Sequence, residues 1–200
     1  MLTRRLRANN DSSGFTLLEV LVVSTLTGLI AIPLMMFTFK GLQSYAFLQA
    51  QSNTSTELST LSGRIAKVLR GATTVINAQS NTLTIYGYFS PADATPDQIR
   101  YFINGTDLNI GVTPPSGTAP NYTYPSQNEV VTTTRVDLQM GGTPMFTYYD
   151  SNGNQLPSGF QNSEIYGIGI YVAANPSPGQ VGVPISVKTF VTLRNFKTNL

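Results

Sequence analysis

The feature that most constrains this chain is an almost uncharged run, Phe15 to Phe39, reading FTLLEVLVVSTLTGLIAIPLMMFTF. It spans 25 residues, and a bilayer-crossing helix needs about 20 predominantly apolar ones. A helix on the surface of a soluble domain shows a polar face at 3.6-residue spacing, and this run has none. The composition therefore predicts a membrane-spanning helix over 15–39. Lys40 marks its far end, and Arg4, Arg5 and Arg7 precede it. Basic residues before a span predict a cytoplasmic N-terminus and export of everything after it. A removable secretory signal would have about 7–15 apolar residues and a small-residue cleavage site. The run is too long for that, and no Ala-x-Ala follows Phe39.

Charge separates the chain into four parts. Residues 1–14 hold Arg4, Arg5, Arg7 and Asp11, and residues 15–39 hold Glu19 alone. Residues 40–71 hold Lys40, Arg64, Lys67 and Arg70 against Glu57. Residues 72–200 are mildly acidic. The overall charge of +2 is too small to argue for nucleic acid. The chain has no His and no Cys, which removes the commonest general base, thiolate metal sites and disulfides. There is no Gly-x-Ser-x-Gly, phosphate-binding glycine loop or metal constellation, so we expect neither an enzyme nor a cofactor or metal.

Glu19 stands out. A carboxylate at the centre of a membrane helix costs about 2.5–3.5 kcal/mol on insertion scales. Near the end of the run that cost falls, so Glu19 reads either as an interfacial carboxylate or as one requiring a buried positive partner. Gly28 and Pro33 also lie within the run, and Pro33 removes a helical hydrogen bond and is expected to kink the helix.

The stretch Gly14-Phe15-Thr16-Leu17-Leu18-Glu19-Val20, with a basic leader before it and an apolar run after it, resembles the N-terminal signature of type IV pilins and type II secretion pseudopilins. The resemblance implies cleavage by a prepilin peptidase between Gly14 and Phe15, with N-methylation of Phe15 by the same enzyme. It implies that Glu19 pairs with the terminal amine of a neighbouring subunit during assembly. It implies other pilin or pseudopilin subunits as partners, an inner-membrane assembly platform with its ATPase, and lipid before assembly. The fold it implies is α+β: a long N-terminal helix packed on an antiparallel β-sheet headpiece.

The physics of the residues agrees with that pairing. Cleavage would expose an α-amine with a pKa of about 8, cationic at neutral pH. Amine and carboxylate would lie about one helical turn apart, at 1.5 Å of rise per residue. A staggered neighbour could bring its amine opposite Glu19. Removing residues 1–14 would also leave nine basic and nine acidic side chains.

Beyond the span, residues 42–70 lack Pro and repeat Leu58, Leu61, Ile65, Val68 and Leu69, a helical stripe expected to pack on a sheet. The polar section 49–56 reads as weakly helical. Glu57, Ser59, Arg64, Lys67 and Arg70 fall on the opposite side and read as a solvated face rather than a DNA or membrane patch. Gly71 is a candidate stop. The domains are thus 1–14 leader, 15–39 span, 40–71 amphipathic helix and 72–200 headpiece.

The headpiece reads as β. Strands are expected over 73–78, 82–89, 99–104, 108–112, 130–139, 144–149, 164–174 and 185–195. Turns fall at 79–81, 105–107 and 175–182, with a Pro-rich loop over 113–127. In the second strand Leu83, Ile85 and Phe89 are expected on one face. Residues 146–154 and 191–195 resemble minor subunits, the W type of minor pilin and the J type of minor pseudopilin. Such subunits prime or cap a filament. Asp150, Asn152 and Asn154 are spaced like calcium ligands but lack the closing Glu. Asn152-Gly153 is a type I′ hairpin signal, and a plain turn is the expectation. Nine tyrosines of the headpiece, from Tyr86 to Tyr171, could serve a tip-located binding module for DNA or a surface ligand, or pack on the sheet.

Overall fold

A computed structural model describes residues 14–176 and 183–193. The basic leader residues Arg4, Arg5 and Arg7, most of the turn expected at 175–182, and the end of the last strand at Arg194 and Asn195 lie outside the described residues. The chain divides into two compact units, one up to Ala46 and one from Phe47 onward.

In the first unit, the helix α1 (Leu17–Arg70, 54 residues) begins after the non-helical residues 14–16. Its apolar section is long and apolar enough to cross a membrane, and Leu17, Leu18, Leu29, Met35 and Phe37 are all exposed. Four hydroxyl side chains there satisfy themselves. Ser24, Thr25, Thr27 and Thr38 each donate their hydroxyl to a main-chain carbonyl one turn back, at 2.7 to 3.0 Å. Hydroxyls closed onto the backbone leave no unmet donor facing hydrocarbon. Pro33 lies inside the helix, where its missing N–H leaves the Leu29 carbonyl without its usual partner.

In the second unit, residues 47–70 of α1 pack on antiparallel strands. The buried side chains are Thr54, Leu58, Leu61, Ser62, Ile65, Ala66 and Leu69. This is the expected stripe, widened by small residues that let the helix approach closely. The helix continues unbroken through the polar section 49–56. It ends at Arg70 with tight bonds from Gly71 N–H to Val68 O (3.0 Å) and Ala72 N–H to Leu69 O (3.1 Å). Gly71 has no positive φ, so the stop is a tightened final turn rather than a left-handed cap.

Among the described residues eight strands follow: β1 (Thr74–Ala78), β2 (Thr82–Gly87), β3 (Asp97–Asn104), β4 (Asp107–Thr113), β5 (Val130–Arg135), β6 (Phe146–Tyr149), β7 (Gly167–Ala174) and β8 (Ile185–Thr192). They form two antiparallel sheets, a five-stranded meander β1 to β5 and a three-stranded β6-β7-β8. The turn between β1 and β2 joins the sheets. Phe146 N–H donates to Ser80 O (2.9 Å), and Tyr148 Oη donates to Gln79 O (2.7 Å). The helix reaches both sheets, through the Glu57–Arg135 ion pair to β5 and the Thr189–Ser62 hydroxyl bond to β8 (3.1 Å). Between them lies one core, in which Leu58, Ile65 and Leu69 meet Leu83, Ile85, Ile99, Tyr101, Met145, Phe146, Ile168 and Val191.

Three details differ from expectation. Phe89 lies beyond the end of β2 and is 43% exposed, so only Leu83 and Ile85 carry the inner face. The β3–β4 hairpin pairs Asn104 with Asp107, so its turn is Gly105-Thr106, with Gly105 at φ 64°. Residues 162–164 form a 3-10 turn rather than the start of a strand, because Glu164 Oε2 accepts the Gln161 N–H (2.8 Å) in a capping box.

Candidate processing and assembly site

Gly14, Phe15 and Thr16 precede the helix in exposed, irregular backbone. The Gly14–Phe15 bond therefore lies outside helical hydrogen bonding. Thr16 starts the helix. Its Oγ1 accepts the Glu19 N–H at 3.3 Å, and its carbonyl accepts from Glu19 N (3.0 Å) and Val20 N (3.2 Å). Thr16 is thus the N-cap and Glu19 the third helical residue. Thr-Leu-Leu-Glu has the spacing of a capping box, yet only the threonine half of the box forms. Among the described residues the Glu19 carboxylate makes no ion pair and no hydrogen bond, and it is exposed.

Two electrostatic consequences follow from that position. A carboxylate in the first turn is favoured by the positive end of the helix dipole, by roughly 0.3–1 kcal/mol. A terminal amine created at Phe15 would sit against the same positive end, which disfavours it. The amine therefore gains from a carboxylate supplied nearby, and Glu19 lies only about 6 Å further along the axis. The capping role of Thr16 was legible in the Thr-x-x-Glu spacing but is absent from the sequence expectations.

Residues 9–35 match the family model described as the prokaryotic N-terminal methylation motif. The matched segment contains Gly14, Phe15, Glu19 and Pro33. The matched segment runs into the exposed helix section that is long and apolar enough to cross a membrane, and the two together support a pilin-like processed subunit. The motif is that of the type IV pilin and pseudopilin family, a structural rather than a catalytic family. Comparison with curated proteins gives no match.

The other sequence candidates resolve as follows. At Asp150, Oδ1 accepts the Asn152 N–H (2.9 Å) and the Asn154 N–H (2.8 Å), and Oδ2 accepts from Asn154 Nδ2 (3.3 Å). These bonds, led by the one from Asn154, hold the carboxyl below its usual range. The carboxylate thus closes its own turn. Gly153 N–H bonds to Asp150 O (3.2 Å), and only Gly153 has positive φ, at 83°. The loop is therefore a turn followed by a left-handed glycine, not the type I′ turn expected from Asn152-Gly153. Arg64, Lys67 and Arg70 are exposed on one helix face. The tyrosines divide: Tyr101 and Tyr148 are core residues whose phenols burial pushes up, while Tyr88 and Tyr166 are exposed.

Proposed function

We propose that this chain is a minor subunit of a type IV pilus or of a secretion or competence pseudopilus, of the W-type or J-type kind. It is made with a basic leader that keeps its N-terminus cytoplasmic while the headpiece is exported. Prepilin peptidase cuts between Gly14 and Phe15 and methylates the new amine. The apolar helix then leaves lipid for the packed centre of a filament, with Glu19 opposite a neighbour's amine. Pro33 supplies a local weakness that lets the helix adjust to packing. Platform and ATPase partners act on assembly, and the subunit itself is not an enzyme. The observation that carries this reading is the motif match over 9–35 on a helix whose apolar side chains are exposed on every side.

Mass spectrometry of protein from sheared filaments tests it. The expected species begins at Phe15, carries one added methyl group, and is present at low copy relative to the bulk subunit. Assembled protein retaining Met1 would overturn the reading. A second reading, a tip-located binding module, draws its support from a pocket in the headpiece.

A further inference from the structure

Inward residues of the five-stranded sheet are apolar, whereas its outer face mixes polar residues with Phe102 and Val131. Two rows of paired residues cross it: Thr84–Arg100–Gly111 and Tyr86–Gln98–Thr113. The segment 114–129 returns over this face. Tyr124 stacks on Tyr86 with ring centroids 4.5 Å apart, and its hydroxyl donates to Pro96 O at 2.9 Å. Further along, the Glu129 carboxylate crosses above Gly111 to reach Arg100. It accepts from Nε at 2.8 Å and from Nη2 at 2.7 Å. The crossing depends on glycine, because a Cβ at position 111 would lie 1.9 Å from Glu129 Oε1. A pocket of about 350 Å³ is left between sheet and segment.

The lining selects the ligand class. Thr84 and Thr113 are only 6% and 4% exposed, yet among the described residues no hydrogen bond engages their hydroxyls. The Gln98 amide and the Ser126 hydroxyl also line the pocket and are likewise unengaged. Four groups that both donate and accept therefore converge beside one immobilised aromatic ring. Arg100 and Glu129 cancel each other, so the wall offers no net charge to an anion or a cation. An apolar ligand would leave those four polar groups without partners. The volume is at the small end of ligand pockets, which begin at about 300 Å³. An uncharged polyhydroxylated ring meets all of these conditions: hydroxyls for the donors and acceptors, and a C–H face for Tyr124.

We propose that this pocket binds one neutral sugar ring, free or as the terminal residue of a glycan. The assignment is independent of where the subunit sits in a filament, and its failure would leave the assembly reading untouched.

The test uses the full chain in a zwitterionic detergent that carries no sugar. Saturation-transfer NMR is run against neutral hexoses and N-acetylhexosamines, each at about 10 mM, where a Kd of about 1 mM gives near-full occupancy. Immobilised glycans ending in the same sugars form a second arm. At least one sugar binds, and Gln98→Ala and Thr84→Val each weaken it tenfold or more, with the thermal unfolding curve retained as a folding control. Lys188→Ala, on β8, leaves binding unchanged. Wild-type protein does not bind inorganic phosphate, whereas Glu129→Gln, which frees Arg100, does. Binding in the free-sugar arm confines recognition to one ring, and binding only in the glycan arm extends it to the next residue; both uphold the site. No binding in either arm, binding undiminished in Gln98→Ala and Thr84→Val, or phosphate bound by the wild type would overturn it.

Discussion

Replacing Glu19 with valine isolates the proposed charge pair from everything else at the N-terminus. The helix start is held by the Thr16 hydroxyl on the Glu19 main-chain N–H, which valine retains. Helix formation, membrane insertion and cleavage should therefore survive. What changes is the fate of the neighbour's amine in the filament. With a pKa of about 8, an unpaired amine can shed its proton at pH 7 for about 1.4 kcal/mol, which caps its own penalty. Losing the attraction of the pair adds to that, and breaking a buried pair costs about 3–5 kcal/mol in total where no such escape exists. The expected loss per subunit contact is thus at least about tenfold and up to several thousandfold. The assay is the ratio of filament-borne to membrane-borne processed protein, by immunoblot after shearing, with N-terminal mass spectrometry confirming cleavage. Glu19→Val incorporated at more than half the wild-type ratio would refute the pairing argument.

Three further outcomes follow from the headpiece. Ile65→Ala, at a helix position 1% exposed, should cost about 2–5 kcal/mol and lower the denaturant midpoint without changing its slope. Partial burial, followed by the charge of Asp93 and the hydrogen bond with it, pushes Asp97 up to about 6. Its folded pKa exceeds the unfolded value, so the associated stability is full below about pH 3.8 and is lost as pH rises to about 6. Asp97→Asn should stabilise by about 1 kcal/mol at pH 7.5, after discounting for solvent screening, and by nothing at pH 3.5, read from urea unfolding at both values. Two glycines should respond with opposite sign. Gly111→Ala displaces Glu129 from Arg100 and should destabilise by about 1 kcal/mol, whereas Gly63→Ala, a helix position with open space, should stabilise by about 0.5–1 kcal/mol in the same titration.

The parts of this molecule that sequence discloses are those governed by local period. Leu58, Leu61, Ile65 and Leu69 marked the buried helix stripe because 3.6-residue spacing admits one apolar face. Ile185, Val187, Val191 and Leu193 turn inward as their alternation requires. The division into two sheets left no such mark, because Ser80 and Gln79 meet Phe146 and Tyr148 across more than sixty residues. The methylation motif over residues 9–35 was legible because its residues are contiguous and their spacing is itself the signal. The outer-face pocket was not, because the cover supplied by residues 114–129 depends on Tyr124 meeting Tyr86 and on Glu129 crossing Gly111. Phe89 shows the limit of alternation: the pattern continued past Gly87 while the strand did not.

The proposed cut after Gly14 and the proposed pairing of Glu19 are coupled by charge. Residues 15–39 contain one ionised side chain, Glu19, and no cation. Within a packed helical core the carboxylate must therefore find its partner in a group absent from the uncut chain's apolar segment. Cleavage makes that group, an α-amine one turn from the carboxylate, and removes Arg4, Arg5 and Arg7, which would hold the terminus at the cytoplasmic surface. Gly14→Val separates processing from folding, because a Cβ at Gly14 meets no atom within 4 Å. The uncut variant should insert and fold its headpiece normally, by protease resistance and thermal unfolding. It should nonetheless be absent from sheared filaments, since each Glu19 would enter the core unpaired. Filaments containing uncut Gly14→Val would show that Glu19 needs no amine and that apolar packing alone drives assembly.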